Sequence, residues 1–274
     1  MTDFITEKDV AQLEHLTWPE AREAAERDAV VLIPVGATEQ HGHHLPLGTD
    51  TLNVAFIAKR AARAAGAIMV PALAVGVSQN HRAFPGTLSL TPRTLISVLT
   101  EIVDGLYANG FKRFIFVNGH GGNNATIDVA AIELRSKYPD LVVGNTYAAA
   151  LTSPLAYDIS DSGIVYHAEE TETSNSLYTT PALVNMANAH DGRAEAFTSY
   201  YHKYYHGSEG NPINLLVQYG LPQTETLTST GVMGDARPST AEKGQQLADF
   251  AVENLVHVIR DAQAYEIGEA LVTP

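Results

Sequence analysis

Four apolar runs of strand length alternate along the chain with segments of helical period, and this alternation restricts the possible folds more than any other feature. The runs are AVVLIPVG (29–36), AIMVPALAVG (67–76), FKRFIFVNG (111–119) and LVVGNTY (141–147). A strand wet on one face alternates apolar with polar residues. Near-continuous apolar runs belong to strands covered on both faces, as in parallel sheets. Between them, TLNVAFIAKRAARAAG (51–66) reads as a helix stopped by Gly66. TPRTLISVLTEIVDGLYANG (91–110) reads as a helix with Thr91 as N-cap, Pro92 in the first turn and Gly110 at its end. NNATIDVAAIELRSKY is a third helix, and a last one opens with a capping-box signature at Ser239 or Thr240. The expected class is α/β, with a mainly parallel sheet between helical layers.

No internal repeat and no low-complexity linker divides the 274 residues, so a single domain, 1–274, is expected. Residues 195–237 break the alternation and are rich in Tyr, Gly, Pro and Thr. So long a stretch without regular structure is usually a functional loop, a lid or a contact for another subunit. Tyr200, Tyr201, Tyr204 and Tyr205 fit a lid or a subunit contact, the contact being the simpler reading.

A formal charge of −14 and no basic stripe argue against nucleic acid and anionic membrane as partners. No apolar run approaches the ~20 residues needed to span a bilayer. The polar, acidic N-terminus has neither the basic nor the apolar region of a secretory signal, so a cytoplasmic location is expected. Cysteine is absent, which leaves His, Asp, Glu and water as the only ligands for a metal.

Binding sites of α/β sheets form where loops leave the C-terminal ends of strands. Three polar clusters stand at such points: TEQHGHHLPLGTD after the first run, NGHGGNN (118–124) after the third, and YHAEETETS (166–174) after GIVY. Glu39 and His41 are two apart, so in an extended segment both point to one face and form half a site for Zn, Mn or Fe. Asp50 offers two oxygens and is able to bridge two ions. His120 sits between glycines that allow close approach, and Glu172 offers a further oxygen. Taken singly, each has a plainer reading. A lone His is usually a satisfied imidazole, a lone Glu a cap or a solvated charge, and NGHGGN a turn or an anion cradle at a helix N-terminus. The coincidence of three clusters at strand ends favours the metal.

Together PVGATEQHGHHLPLGTDT, HRAFPGTLSL, FVNGHGGNN, HAEETETS and GVMGDARPSTAEKG resemble, in order, the motifs of the creatininase (creatinine amidohydrolase) family. The resemblance implies a three-layer α/β/α domain and two divalent metal ions, Zn first with Mn or Fe as alternatives. It also implies a homo-oligomer, with a hexamer in view. By motif, Glu39 and His41 match ligands of different ions, Asp50 the bridge, and His120 and Glu172 the remaining ligands. His167 matches the proton-relaying histidine. His44 matches a histidine behind the ligands, and His43 stands where proline is usual and is expected to face solvent. Ser78, His81 and Asn123 are candidate substrate contacts, Asn123 also bracing the His120 loop. Pro85, Gly86 and Thr87 are expected to shape a turn. Glu169 or Glu170 is expected to cap the helix starting near Thr171, in preference to a catalytic role.

Two bridged ions lower the pKa of a shared water toward ~7, and the departing nitrogen needs a proton, for which His167 is the candidate. The family's namesake has HYEN where this chain has HGGN, so Gly122 stands in place of a ligand glutamate. The namesake also surrounds its substrate with tryptophans, whereas Trp18 is the only one here. The expected substrate is therefore a small cyclic amide or formamide, with a short peptide tail, or creatinine itself, as alternatives. A binding module without catalysis is disfavoured because every candidate ligand and His167 occur together. A phosphate cradle is disfavoured by the lack of basic residues near NGHGGN.

Overall fold

The computed structural model describes residues 8–192, 224–226 and 228–266. The apolar runs form one four-stranded parallel sheet of order β2-β1-β3-β4, with β1 Val30–Val35, β2 Ile68–Met69, β3 Arg113–Asn118 and β4 Val142–Tyr147. Val35 lies opposite Asn118, and Asn118 opposite Tyr147. Three strands thus end in one row, and the loops leaving them start at the same level.

The helices are α1 Trp18–Glu26, α2 Thr49–Ala65, α3 Pro92–Ala108, α4 Asn124–Lys137, α5 Ala148–Ile159, α6 Glu170–Thr179 and α7 Ala241–Ala264. Alternate strand residues feed two cores. Val30, Leu32, Ile115 and Val117 pack with α2, α5 and α7, through residues such as Ile57, Leu151 and Leu255. Val31, Ile33, Phe114 and Phe116 pack with α1, α3 and α4, through Ala24, Leu99 and Ile127. This is the three-layer α/β/α arrangement, and it explains why β1 is apolar throughout and β3 is apolar from Phe114 to Val117. Each fully buried Leu, Ile or Phe in these layers contributes roughly 1.5–3 kcal/mol. A rigid central sheet is the result, and the strand ends inherit that rigidity.

The local signals act where the sequence puts them. Thr91 Oγ1 accepts from Thr94 N (3.2 Å) at the start of α3, and Thr240 Oγ1 accepts from Lys243 N (3.2 Å) at the start of α7. Two elements differ from expectation. The run 67–76 is a strand only at Ile68–Met69, because Pro71 has no N–H for the ladder. Beyond it a single bridge, Val35 to Leu73, continues the pairing. Helix α5 follows β4 without a loop and carries Pro154 in its interior, which reads against a helix in the sequence despite the Ala and Leu around it. Of the 195–237 segment, 193–223 and 227 lie outside the described residues, as do Tyr200, Tyr201, Tyr204 and Tyr205. None of the described helices is long and apolar enough to cross a membrane.

Candidate metal centre

Six sequence-predicted residues converge above the C-terminal ends of β1 and β3. Glu39 and His41 follow β1, Asp50 stands in the first turn of α2, His120 follows β3, and His167 and Glu172 flank the start of α6. Glu39 and His41 are completely buried, and Asp50 and His120 nearly so.

Asp50 is the hub. Its Oδ1 lies 3.2 Å from His41 Nε2, and its Oδ2 lies 3.2 Å from His120 Nδ1. A second carboxylate flanks each imidazole: Glu172 Oε1 is 3.5 Å from His41 Nε2, and Glu39 Oε2 is 3.3 Å from His120 Nε2. Two residue sets able to hold a metal ion follow, Glu39–Asp50–His120 and His41–Asp50–Glu172. In each, the ligand atoms lie within 4.8 Å of one another. A third set, Glu39–His41–His167, reuses two of these residues.

The backbone orients the ligands. His41 Nδ1–H donates to the Glu39 carbonyl (3.0 Å), which turns Nε2 toward Asp50. His120 Nε2–H donates to the Val77 carbonyl (3.0 Å), which turns Nδ1 toward Asp50. Glu172 Oε2 accepts from the Ala168 N–H (2.6 Å), and its Oε1 faces His41. To make that contact Ala168 takes a left-handed backbone, φ 52°.

The donor set fits a divalent cation on chemical grounds. Both oxygens of Glu39 and Asp50 Oδ2 are buried with no hydrogen-bond partner among the described residues. Buried unpaired carboxylates are costly, of order several kcal/mol each, unless a cation meets them. The electrostatics say the same. Burial lowers the affinity of His120 for a proton, yet the Glu39 and Asp50 carboxylates outweigh it and raise its pKa to about 9. His41 is likewise held well above the usual range, burial being overcome by Glu172 and Asp50. Burial pushes Glu39 up to about 7, with His120 opposing and the Asp50 charge adding. Asp50, although buried, is held well below the carboxylate range by His41 and His120. Without an ion the carboxylates recruit protons onto the imidazoles; a divalent ion displaces them.

The histidines beside the centre behave oppositely. His167 is held well below the imidazole range by burial and by the charges of His41 and His81, and His81 is lowered to about 3 by burial, His120 and His41. Both are therefore neutral imidazoles at pH 7, each with one nitrogen free of hydrogen. Its Nδ1 is 3.8 Å from Glu39 Oε1, and its ring lies between those of His41 and His81, at centroid distances of 4.6 and 4.7 Å.

Ser78 is fully buried, with Oγ 3.5 Å from His120 Nε2, and His81 Nε2 lies 3.6 Å from Glu39 Oε1. The Asn123 carboxamide is consumed by backbone, accepting from Val77 N (2.8 Å) and donating to the Gly36 carbonyl (3.0 Å). It braces the His120 loop against the end of β1. His44 is buried and its Nε2 meets Thr173 Oγ1 (2.8 Å), one residue from Glu172. His43 is exposed and pairs with His190 (3.1 Å). Glu169 caps α6, accepting from Thr171 N (2.8 Å) and Glu172 N (3.3 Å). Glu170, also buried, instead pairs with Lys243 and the loop 160–162.

Three participants were not singled out from the sequence. Gln40 touches His81 and His167. Gly231, in the returning segment, receives the Gln40 amide at its carbonyl. Tyr147 ends β4 in register with Asn118, and its hydroxyl is held above the usual phenol range by burial and the Asp50 and Glu172 charges. The register position of Tyr147 was a usable signal. The contacts of Gln40 and Gly231, 191 residues apart, had none.

A parallel α/β/α fold gathers at its strand ends buried carboxylates and imidazoles that could hold a metal ion. The creatininase (creatinine amidohydrolase) family profile matches residues 14–259, and the chain belongs to that family of amidohydrolases. It is 29% identical over 270 residues to a creatinine amidohydrolase of Pseudomonas putida, covering 90% of this chain and 95% of the relative. It is 31% identical over 236 residues to a mycofactocin precursor peptide peptidase of Mycobacterium tuberculosis, covering 82% of each. A solved manganese creatininase superposes with a TM-score of 0.77 at 26% identity, over 92% of this chain and 98% of that one. A zinc–zinc creatininase variant superposes with a TM-score of 0.77 at 28% identity, over 93% and 98%.

Proposed function

We propose that the chain is a two-ion amidohydrolase acting on a small cyclic amide or formamide. The observation that carries this reading is the split use of Asp50. One oxygen faces His41 and the other faces His120, and with Glu172 and Glu39 respectively these make two ligand sets that share Asp50. Glu39, Asp50 and His120 would hold one ion, and His41, Asp50 and Glu172 the other. When bound, two such ions supply a water of lowered pKa and polarise the substrate carbonyl. Zinc is the first choice for this N/O donor set, with manganese or iron able to occupy it.

The remaining steps belong to the chain. In this allocation His167 is not needed as a ligand, and its bare Nδ1 faces the cluster. It accepts the proton of the attacking water as the C–O bond forms, then returns it to the nitrogen as the C–N bond breaks. Glu172 takes the place of the carboxylate that the namesake carries at position 122. The lone tryptophan, Trp18, is on α1 and largely exposed, so no indole from it lines the centre. These two departures favour an amide other than creatinine. Cleavage of a short peptide tail is the second reading, favoured by the 31% identity to the mycofactocin peptidase.

The test is a zinc-loaded preparation, assayed for metal per chain and for hydrolysis of creatinine, N-formyl amines, cyclic amides and short C-terminal peptides. Two ions per chain with turnover of a formamide or cyclic amide and none of creatinine is the expected result. A single ion per chain, or equal activity after chelation, refutes the two-ion reading. Turnover of peptide alone replaces the substrate class and leaves the metal reading intact.

A further inference from the structure

Gln40 lies between two ligands, Glu39 and His41, and is itself buried. Its backbone N–H is held by Thr87 Oγ1 (3.3 Å). Its carboxamide orientation is fixed by two independent backbone groups. Oε1 accepts from the Gly42 N–H (3.0 Å), and Nε2 donates to the Gly231 carbonyl (3.1 Å). Rotating the amide by half a turn would set N–H against N–H and oxygen against oxygen.

With that orientation, Nε2 has one hydrogen left and two imidazole nitrogens within reach: His81 Nδ1 at 3.0 Å and His167 Nε2 at 2.9 Å. The Gln40 backbone carbonyl decides between them, because it also lies 2.9 Å from His167 Nε2 and needs a donor. One assignment satisfies every group. The amide donates to His81 Nδ1, and His167 donates its Nε2–H to the Gln40 carbonyl. The reverse leaves that carbonyl unpaired and either His81 or Gly231 without a donor.

The geometry points to Gln40 as the positioning residue that divides the roles of the two adjacent histidines. Both rings carry hydrogen on Nε2, but they present opposite ends to the cluster. His81 shows its Nε2–H and His167 its bare Nδ1, at 3.6 and 3.8 Å from the same oxygen, Glu39 Oε1. The centre therefore has one hydrogen-bond donor and one proton acceptor side by side. His81 is the fixed donor to substrate oxygen, and His167 is the group that receives and returns the proton. Gly231 is part of the device. At φ +84° it lies so close that a Cβ there would be 1.8 Å from Gln40 Oε1.

This assignment rests on the hydrolytic reading for its purpose, but its test does not need a substrate. Two-bond 15N–1H spectra of 15N-histidine-labelled protein, with and without Zn²⁺, report which nitrogen of each ring carries hydrogen. His81 and His167 are assigned by comparison with His81→Asn and His167→Asn. In the native chain both are expected in the Nε2–H form, and His81 is expected to stay there on loading with zinc. In Gln40→Met, which removes the amide donor at similar volume, the His81 tautomer ratio is expected to move about tenfold toward Nδ1–H, as loss of one net buried hydrogen bond implies. Gly231→Ala, which displaces the same carboxamide from outside, is expected to shift His81 the same way. Native His81 carrying hydrogen on Nδ1 overturns the assignment, as does a folded Gln40→Met with an unchanged His81 spectrum. Should Gln40→Met fail to fold, the native spectrum alone decides. Spectra as expected from a protein that hydrolyses no amide would retain the Gln40 assignment and remove the hydrolytic reading.

Discussion

Adding a single methyl group at Gly122 tests whether the loop after β3 is shaped around the absence of a side chain. A Cβ at this position would lie 2.3 Å from the Val77 carbonyl oxygen and 2.4 Å from His120 Nε2. Those two atoms are partners in a 3.0 Å hydrogen bond, so the methyl group wedges between donor and acceptor. Cβ contacts below 3.0 Å are essentially never seen, so each partner must retreat by roughly 0.6–0.7 Å. Neither is the free end of a flexible chain: one is backbone and the other a ring facing Glu39 and Asp50. Overpacking of this kind costs about 1–3 kcal/mol, which for a chain of this length lowers Tm by roughly 2–10 °C. Misplacing the hydrogen bond that orients a ligand weakens metal affinity by about 10–100-fold. Gly122→Ala is therefore expected to lower Tm and to weaken one of two zinc ions, measured by calorimetry and by competition with a chromophoric chelator. Gly122→Glu, which restores the namesake's residue, should be worse than alanine. A Tm within about 1 °C of the native value with both affinities unchanged refutes the argument, because a clash of that size has to appear in one of them.

Removing the metal with EDTA should lower Tm by about 5–10 °C, since an ion held at a hundred times its Kd contributes about 2.7 kcal/mol. An unchanged Tm would show that the unpaired Glu39 and Asp50 oxygens are met by something other than a metal. Glu172→Gln should fold and retain a single ion per chain by elemental analysis, whereas retention of two would remove Glu172 from the ligand set. Ala168→Gly relieves a left-handed alanine, and the gain, net of the extra freedom of glycine when unfolded, is roughly 0.5–1 kcal/mol. Calorimetry showing lower stability instead would mean that the methyl packing outweighs the strain. Glu170 has its carboxyl held below the usual range: burial opposes this, but Lys243 and the N–H groups of Ser162 and Asp161 outweigh it. A depressed folded pKa means that the unfolded chain binds the proton first. The stabilisation is thus complete above the ordinary Glu pKa and is lost as pH falls through the folded value. Glu170→Gln should flatten the acid side of a denaturation-versus-pH curve, and an unchanged acid slope would show that the Glu170–Lys243 pair contributes nothing.

The chain's own pattern determined what depends on near neighbours and on solvent. Apolar residues at every position of β1 and at Phe114–Val117 of β3 require cover on both faces, so the parallel layered sheet could be read without coordinates. Thr91 and Thr240 cap helices because the next turn supplies the N–H groups. The polar clusters were legible because they stand directly after apolar runs, and a shared sheet register brings strand ends to one level. Tertiary structure alone decided which atoms meet there. The two oxygens of Asp50 point to two different imidazoles because of how α2 enters behind the loop, which nothing within nine residues encodes. Pro71 cut an apparent ten-residue strand to two, and the helix containing Pro154 forms in spite of that residue, held by the layer it packs into. Gln40 meets His167 across 127 residues and Gly231 across 191, contacts that no local window contains. Periodicity and capping are short-range effects and leave marks in a short stretch of sequence. The choice of hydrogen-bond partner in a buried site is a packing result, and it exists only once distant segments have been brought within 3 Å of one another.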